Sequence, residues 1–386
     1  MYLDHAAATP MSERVIAAMM PFFADEFYNP SAAYLPAAEV RKKYEAAKDE
    51  IARAIGAKGS EIVMTAGATE SINLAFTAVG HLHQGVVLVS EIEHVSVMEA
   101  ARRAGRFQTI RVDKHGLIDL DDLKQKIADD TRIVSVALVN GELGTIQPMA
   151  EIAQIVKTER MRRLKEGNKM PIWLHSDASQ GLGLMDVNVA RLGVDMLTLN
   201  AGKVYGPKQV GLLWVGSEVR LEPVTVGGGQ EMGLRSGTEN VAGTIGFAEA
   251  VKEAKMHTLG ERKRLEGVRR ALRAKLEAGI EDVKFLGSEK KQLVGYLPVT
   301  IAGVDAERLV YKLEGKGVLV ATGAACAASK GKKSHVLEAI ELSDEEIAGS
   351  LRITLGKLNN EENVERAGDL IVEAVREERE RVRREG

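Results

Sequence analysis

The sequence predicts an α/β fold, a large domain with a mostly parallel sheet flanked by helices, followed by a small α+β C-terminal domain. Three observations predict it. Short apolar runs alternate with helical patterns through the first two thirds of the chain, as expected of parallel strands covered on both faces. Strands and helices then follow one another in mixed order. The chain of 386 residues is also long enough for one large domain and a smaller one.

Strands are expected at Glu61–Thr65, Gly85–Val89, Gln108–Val112, Ile133–Leu138, Ile172–His175, Met196–Leu199 and Gly211–Val215. Between them, apolar residues at helical spacing predict helices at Ala37–Ile55, Thr69–Val79, His94–Arg103, Leu120–Ile127 and Ile152–Glu166. A long helical pattern over Asn240–Gly279 links the two domains. Beyond it, strands at Tyr296–Ile301, Val318–Ala321 and Ser350–Thr354 mix with helices at Glu307–Lys316 and Asn360–Val375. The division expected is 15–255 for the large domain, with 1–14 and 256–386 forming the small one. The Arg- and Glu-rich tail from Glu373 reads as a solvated helix end.

A formal net charge of −3 argues against a nucleic-acid surface. No apolar run approaches the roughly 20 residues that span a bilayer, and MYLDHAAATP lacks the basic and apolar regions of a signal peptide. A cytoplasmic location is expected. The single cysteine, Cys326, excludes an internal disulfide and leaves one thiol to explain.

The chemistry is densest in HSDASQGLGLMDVNVARLGVDMLTLNAGKVYGPKQVG, from His175 to Gly211. Asp177 closes one apolar strand, and a second leads straight into Asn200, Gly202 and Lys203. An amine and a carboxylate delivered from two strand ends are what pyridoxal 5′-phosphate (PLP) requires: the lysine attaches the cofactor, and the carboxylate keeps its ring nitrogen protonated. Ala66-Gly67-Ala68-Thr69 turns a strand into a helix whose free N–H groups suit a phosphate, although Thr69 also reads as an ordinary N-cap. His94, at another strand-to-helix junction, either stacks on an aromatic cofactor and exchanges protons or simply caps the helix. Gln180 follows Asp177 by three residues and can donate to a phenolate oxygen. Arg352, in an otherwise apolar strand, suits a substrate carboxylate or a structural ion pair. Cys326 lies in a small, glycine-containing, lysine-rich stretch, ATGAACAASKGKKSH from Ala321, the setting of an exposed and nucleophilic thiol rather than an inert buried one.

Together these motifs resemble the cysteine desulfurases of the NifS/IscS-like branch of class V, fold-type I PLP enzymes. The resemblance runs along nearly the whole chain: YLDHAAATP from Tyr2, NPSA from Asn29, TAGATESINLA from Thr65, EIEHVSV from Glu91 and VNGELG from Val139. It continues with HSDASQ from His175, NAGKVYGPK from Asn200, GGGQEMGLRSGTEN from Gly227, TGAACAAS from Thr322 and SLRITLG from Ser350. It implies that Lys203 carries the PLP aldimine, that Asp177 pairs with the ring nitrogen, that Gln180 contacts the ring oxygen and that His94 stacks on the ring. Ala68, Thr69 and Asn200 would hold the phosphate. Thr238 would reach the phosphate of a neighbouring subunit, which implies a homodimer. Asn140 and Arg352 would bind the substrate, L-cysteine. Cys326 would take its sulfur as a persulfide and pass it to a sulfur-acceptor protein such as an iron–sulfur scaffold, leaving L-alanine.

Two positions depart from the family. Gly202 stands where the family has a histidine that helps hold the phosphate, and Gly141 where it has an asparagine that contacts cofactor and substrate. Gln230 and Met232 are lesser departures, for His and Arg. The alternatives they leave are a class V enzyme for another substrate, such as selenocysteine, and a weakened relative acting as a binding or scaffold partner.

Overall fold

The structure is a computed structural model that describes residues 1–79, 85–323 and 333–385. The large sheet has seven strands: β1 (Ile62–Thr65), β2 (Val86–Ser90), β3 (Arg106–Ile110), β4 (Thr131–Ser135), β5 (Trp173–Asp177), β6 (Met196–Asn200) and β7 (Gly211–Val215). Their order across the sheet is β1-β7-β6-β5-β4-β2-β3. Strands β3, β2, β4, β5 and β6 pair in parallel, while β7 runs antiparallel to both of its neighbours.

The strands are rich in apolar residues because both faces of this sheet are covered. Side chains alternate between two cores. Val86 and Leu88 of β2 join the cluster under the helices Leu35–Ile55 and Met149–Lys165. Val87 and Val89 join the opposite cluster, under the helices Ala68–Ala75 and Val95–Ala104. The edge strand β3 alone has an exposed alternation, with Arg106 and Gln108 facing outward.

A second sheet, of β8 (Val283–Phe285), β9 (Val299–Ile301), β10 (Ala321–Thr322) and β11 (Ser350–Arg352), is antiparallel in the order β10-β11-β9-β8. It packs on the helices Ala306–Gly315 and Glu361–Glu385 around its own core of Leu297, Val299, Leu309, Leu351 and Ile371. The helix Val241–Gly279 serves both cores: Phe247 and Val251 lie in the large one, Leu265, Leu272 and Leu276 in the small one. The tail continues that C-terminal helix to Glu385. It is less solvated than its composition suggested, since Glu378 is fully buried and meets Lys312 at 3.0 Å and Arg381 at 2.7 Å.

The first nine residues form no helix or strand, but bind across the junction of the two cores. Leu3 N–H donates to Leu319 O at 2.8 Å, and Thr354 N–H donates to Leu3 O at 2.8 Å. Further in, Ala6 N–H donates to the Thr354 hydroxyl at 3.0 Å and the Thr9 hydroxyl to Gly202 O at 3.1 Å.

Candidate active site

Parallel strands end together, so the loops after β4, β5 and β6 open at one edge of the sheet. Asp177 is the last residue of β5 and pairs with Thr198 of β6. Its Oδ1 accepts the Ser179 N–H at 3.0 Å, which fixes the turn carrying Gln180. At the end of β6, Asn200 folds its carboxamide onto the Gly202 N–H at 2.9 Å and starts a tight turn, Ala201–Lys203. That turn presents the half-buried Lys203. The Lys203 Nζ donates to Ala6 O and Ala7 O, both at 2.7 Å. Gln180 is held from two sides: its Nε2 donates to Ala6 O at 3.1 Å, and its Oε1 accepts the buried Tyr296 hydroxyl at 2.8 Å.

Beneath Asp177, two residues back along the same strand and on the same face, lies His175, which the sequence analysis did not single out. It is fully buried between the Ser135 hydroxyl, 2.8 Å from Nδ1, and the Thr198 hydroxyl, 3.0 Å from Nε2. Burial pulls its pKa down to about 4, against the pull of Asp177. The ring under Asp177 is therefore neutral at physiological pH.

His94 is the N-cap of the helix Val95–Ala104, with Nδ1 accepting the Ser96 N–H at 3.2 Å. Both sequence readings of His94 are thus compatible, since capping leaves the ring exposed at the cleft. Desolvation lowers its pKa, Asp177 opposes this, and Lys203, His335 and Arg352 lower it further. Its neighbour Glu93 is buried, with one oxygen on the Ala137 N–H and the other unpartnered. Burial pushes that carboxyl up to about 8 against the Ala137 hydrogen bond, with Asp177 adding to the rise.

The turn after β1 carries Gly67 at φ 134°, a conformation reserved for glycine, which lets the helix Ala68–Ala75 begin at once. Ala68 and the exposed Thr69 form its first turn, with free helix-end N–H groups. Thr69 is not the N-cap, so the ordinary capping reading is corrected: Gly67 occupies that position. Glu70 joins this turn to the segment carrying Thr238 through an ion pair with Arg235 at 3.0 Å. Thr238 itself is exposed.

Arg352, at the end of β11, is buried. One arm donates to Asp4 Oδ1 at 2.7 Å and the other to Gly141 O at 3.4 Å, while Nε is buried without a partner. Burial works against its charge, but Asp4, Tyr296 and Glu142 outweigh it and raise the pKa. The ion-pair reading of Arg352 is met by Asp4, with the Nε donor still unspent.

Asn140 turns its carboxamide toward the chain. Its Nδ2 donates to Ile92 O at 2.8 Å, and its Oδ1 accepts the N–H groups of Glu142, at 2.9 Å, and Leu143, at 2.8 Å. The carboxamide is committed to shaping the turn, because an unpaired backbone group buried there would be costly. Cys326 lies outside the described residues.

At both departures a side chain would fit. A Cβ on Gly141 would meet Gln180 Nε2 at 3.6 Å, ordinary contact. One on Gly202 would meet Asn200 Oδ1 at 3.3 Å and Lys208 Cγ at 3.8 Å, so the Asn200 carboxamide must give slightly.

A lysine and a carboxylate at adjacent strand ends, beside an open helix N-terminus in a seven-stranded sheet, define the class: the fold-type I PLP enzymes. Within it, the chain belongs to the aminotransferase class-V family, whose model matches residues 1–367. It is 39% identical to the cysteine desulfurase IscS 1 of Archaeoglobus fulgidus, over 95% of this chain and 94% of that protein. Among solved structures, a NifS-like protein superposes with a TM-score of 0.89 at 30% identity, covering 97% of this chain and 99% of that one. SspA in complex with cysteine superposes at 0.79, with 31% identity over 92% of this chain and 98% of SspA.

Proposed function

We propose that the chain is a PLP-dependent cysteine desulfurase that converts L-cysteine to L-alanine and leaves the sulfur as a persulfide on Cys326. The observation that carries this reading is the convergence of Lys203, Asp177 and Gln180 with an Arg352 guanidinium that keeps a buried donor unspent. The residues fit the cofactor. Lys203 is the anchoring amine, and Asp177 is the counter-charge for a protonated ring nitrogen. The first turn at Ala68 and Thr69, with Asn200, offers donors to a phosphate. When bound, PLP supplies an electron sink for the bond-breaking at the substrate.

Lys203 would hold and return the α-proton, and His94, exposed at the cleft, would face the cofactor and assist proton transfer. Arg352 holds the substrate carboxylate. Asn140 positions the turn from which Gly141 O reaches Arg352. In the transfer the substrate C–S bond breaks and an S–S bond to Cys326 forms. The carbon keeps the electron pair and takes a proton, so alanine and persulfide balance without an outside oxidant.

The reading extends to a homodimer in which Thr238 serves the neighbouring site. Its support is the exposure of Thr238 together with Val226, at 78%, and Met232, at 50%, on the same segment. It also takes the chain to divide near residue 255, within the helix that serves both cores. We place the enzyme in the cytoplasm, handing sulfur to an acceptor protein such as an iron–sulfur scaffold. Among the described residues, no helix is long and apolar enough to cross a membrane.

The test is the fate of sulfur. With PLP and L-cysteine, the wild type should release alanine and carry a persulfide on Cys326, detected by mass. Cys326→Ala should form alanine at least about a hundredfold more slowly, within the range for loss of a nucleophile. An unchanged alanine rate in that variant would overturn the persulfide role. A second variant bears on the departure at Gly202. Gly202→His should slow PLP loss on dialysis by about tenfold, the worth of one hydrogen bond to a charged group. Equal loss from both proteins would show that Gly202 is not the weak point.

A further inference from the structure

We propose that one face of the helix Leu35–Ile55, carrying Arg41, Tyr44 and Lys48, positions the turn that would hold the cofactor phosphate. It does so at one remove, by gripping Glu231 and Glu239 at the two ends of a segment whose Arg235 braces that turn. The proposal rests on the reading of the chain as a PLP enzyme.

The backbone of the segment is strained. Glu231 and Met232 both take left-handed conformations, at φ 48° and 59°, which residues with a side chain rarely adopt. Such a conformation persists only where its surroundings enforce it. Here the buried Glu231 side chain is the fastening. Its Oε1 accepts the Tyr44 hydroxyl at 2.5 Å, and its Oε2 accepts the Lys48 ammonium at 3.1 Å and the Met64 N–H at 2.7 Å. Tyr44 and Lys48 are buried as well, so these bonds are made out of reach of bulk water.

The far end is held by the same helix. Arg41 meets the buried Glu239 at 2.7 Å. Positions 41, 44 and 48 follow one another at spacings of three and four, and so lie on one stripe of the helix. Between the ends, the segment is tied to itself. Gln230 Oε1 accepts the Gly237 N–H at 3.0 Å, and the Ser236 hydroxyl accepts the Gly229 N–H at 3.2 Å.

Two contacts then run from this segment to the phosphate turn. Strand β1, at the edge of the large sheet, leads into Ala66 and Gly67. Glu231 holds that strand at the Met64 N–H. Arg235 Nε donates to Glu70 Oε1 at 3.0 Å, while Glu70 Oε2 accepts the Ala66 N–H at 2.5 Å. The turn ahead of the helix Ala68–Ala75 is therefore fixed at Met64 and again at Ala66, both through residues of one segment. Helix-end N–H groups that are already aimed bind an anion tightly, whereas a turn that must first be ordered binds it less well.

The experiment uses the full-length protein and two readouts. Cofactor loss from the PLP-loaded protein is followed on dialysis by the absorption of bound PLP. Amide hydrogen exchange over residues 64–70 is measured before loading. Glu231→Ala and Arg235→Met should each speed PLP loss about tenfold, as for the withdrawal of one hydrogen bond to a charged group. Exchange over 64–70 should quicken in both. The Arg235–Glu70 pair is partly exposed, so Arg235→Met keeps the buried bonds and carries the test if Glu231→Ala does not fold. Glu231→Gln retains an acceptor for Lys48 and Met64 and a partner for the Tyr44 hydroxyl, and should stay within about twofold of the wild type. Leu309→Ala, in the small core, should lower thermal stability and leave both readouts unchanged.

Wild-type PLP loss in Arg235→Met overturns the proposal. So does faster loss in Leu309→Ala, since general loosening would then account for the effect. Loss from Glu231→Gln as fast as from Glu231→Ala also overturns it, because charge rather than placement would be acting. A wild type that gains no absorption band with PLP would refute the functional reading itself, and this proposal with it.

Discussion

Replacing Lys203 by alanine should reduce alanine formation from L-cysteine by at least about 10³-fold, the scale of losing an anchored nucleophile that also serves as the base. The absorption band of bound cofactor should vanish with it. A second effect follows from the structure. The Lys203 ammonium ties down Ala6 O and Ala7 O, and Gln180 shares the first of these. Without the ammonium, amide hydrogens over residues 4–9 should exchange faster, measured by hydrogen exchange on the folded variant. Retention of the band together with wild-type turnover would remove Lys203 from the mechanism. Unchanged exchange would show that the N-terminal segment is held by its other bonds alone.

Replacing Arg352 by alanine should raise the KM for L-cysteine about a hundredfold, the worth of a charge-assisted pair to a carboxylate. It should also cost about 3 kcal/mol of stability, because the half-buried Asp4 loses its 2.7 Å ion-pair partner. Arg352→Lys separates the two effects. It keeps the charge beside Asp4, so most of the stability should survive. It loses the planar fork, so KM should still rise about tenfold. Steady-state kinetics and denaturant unfolding read the two arms independently. A KM unmoved in both variants would leave Arg352 as a structural ion pair only.

The sequence made the strand-end residues legible because their signals are local. Asp177 closes an apolar run, and Lys203 follows another after a turn whose asparagine and glycine mark it plainly. Strand β3 was read two residues late, at Gln108–Val112 instead of Arg106–Ile110. It is an edge strand, so its outward face is polar, and its start is set by close approach to the neighbouring strand. Arg106 N–H donates to Gly85 O at 3.1 Å, and a Cβ on Gly105 would lie 2.6 Å from that oxygen. Asp4, Tyr296 and His175 were missed for another reason. Each gains its meaning from a partner distant in sequence or across the sheet, and no spacing rule announces it. Alternation along His175-Ser176-Asp177 was the one usable clue, since it places His175 and Asp177 on one face. Asn140 is hard to read because an asparagine looks the same in sequence whether its carboxamide faces a ligand or the chain.

The N-terminal threading also bears on how the protein is made. The Asp4 and Arg352 side chains meet across 348 positions of sequence, and Ala6 and Lys203 across 197. Residues 2–9 leave the ribosome long before β6 or β11 exists, and have no sheet edge to join until the C-terminal lobe has been synthesised. Contacts of such separation close late and slowly. Assembly of the site is therefore the last act of folding rather than an early one. A chain that stalls before β11 would hold a finished large sheet and an unfinished site, inactive although mostly folded.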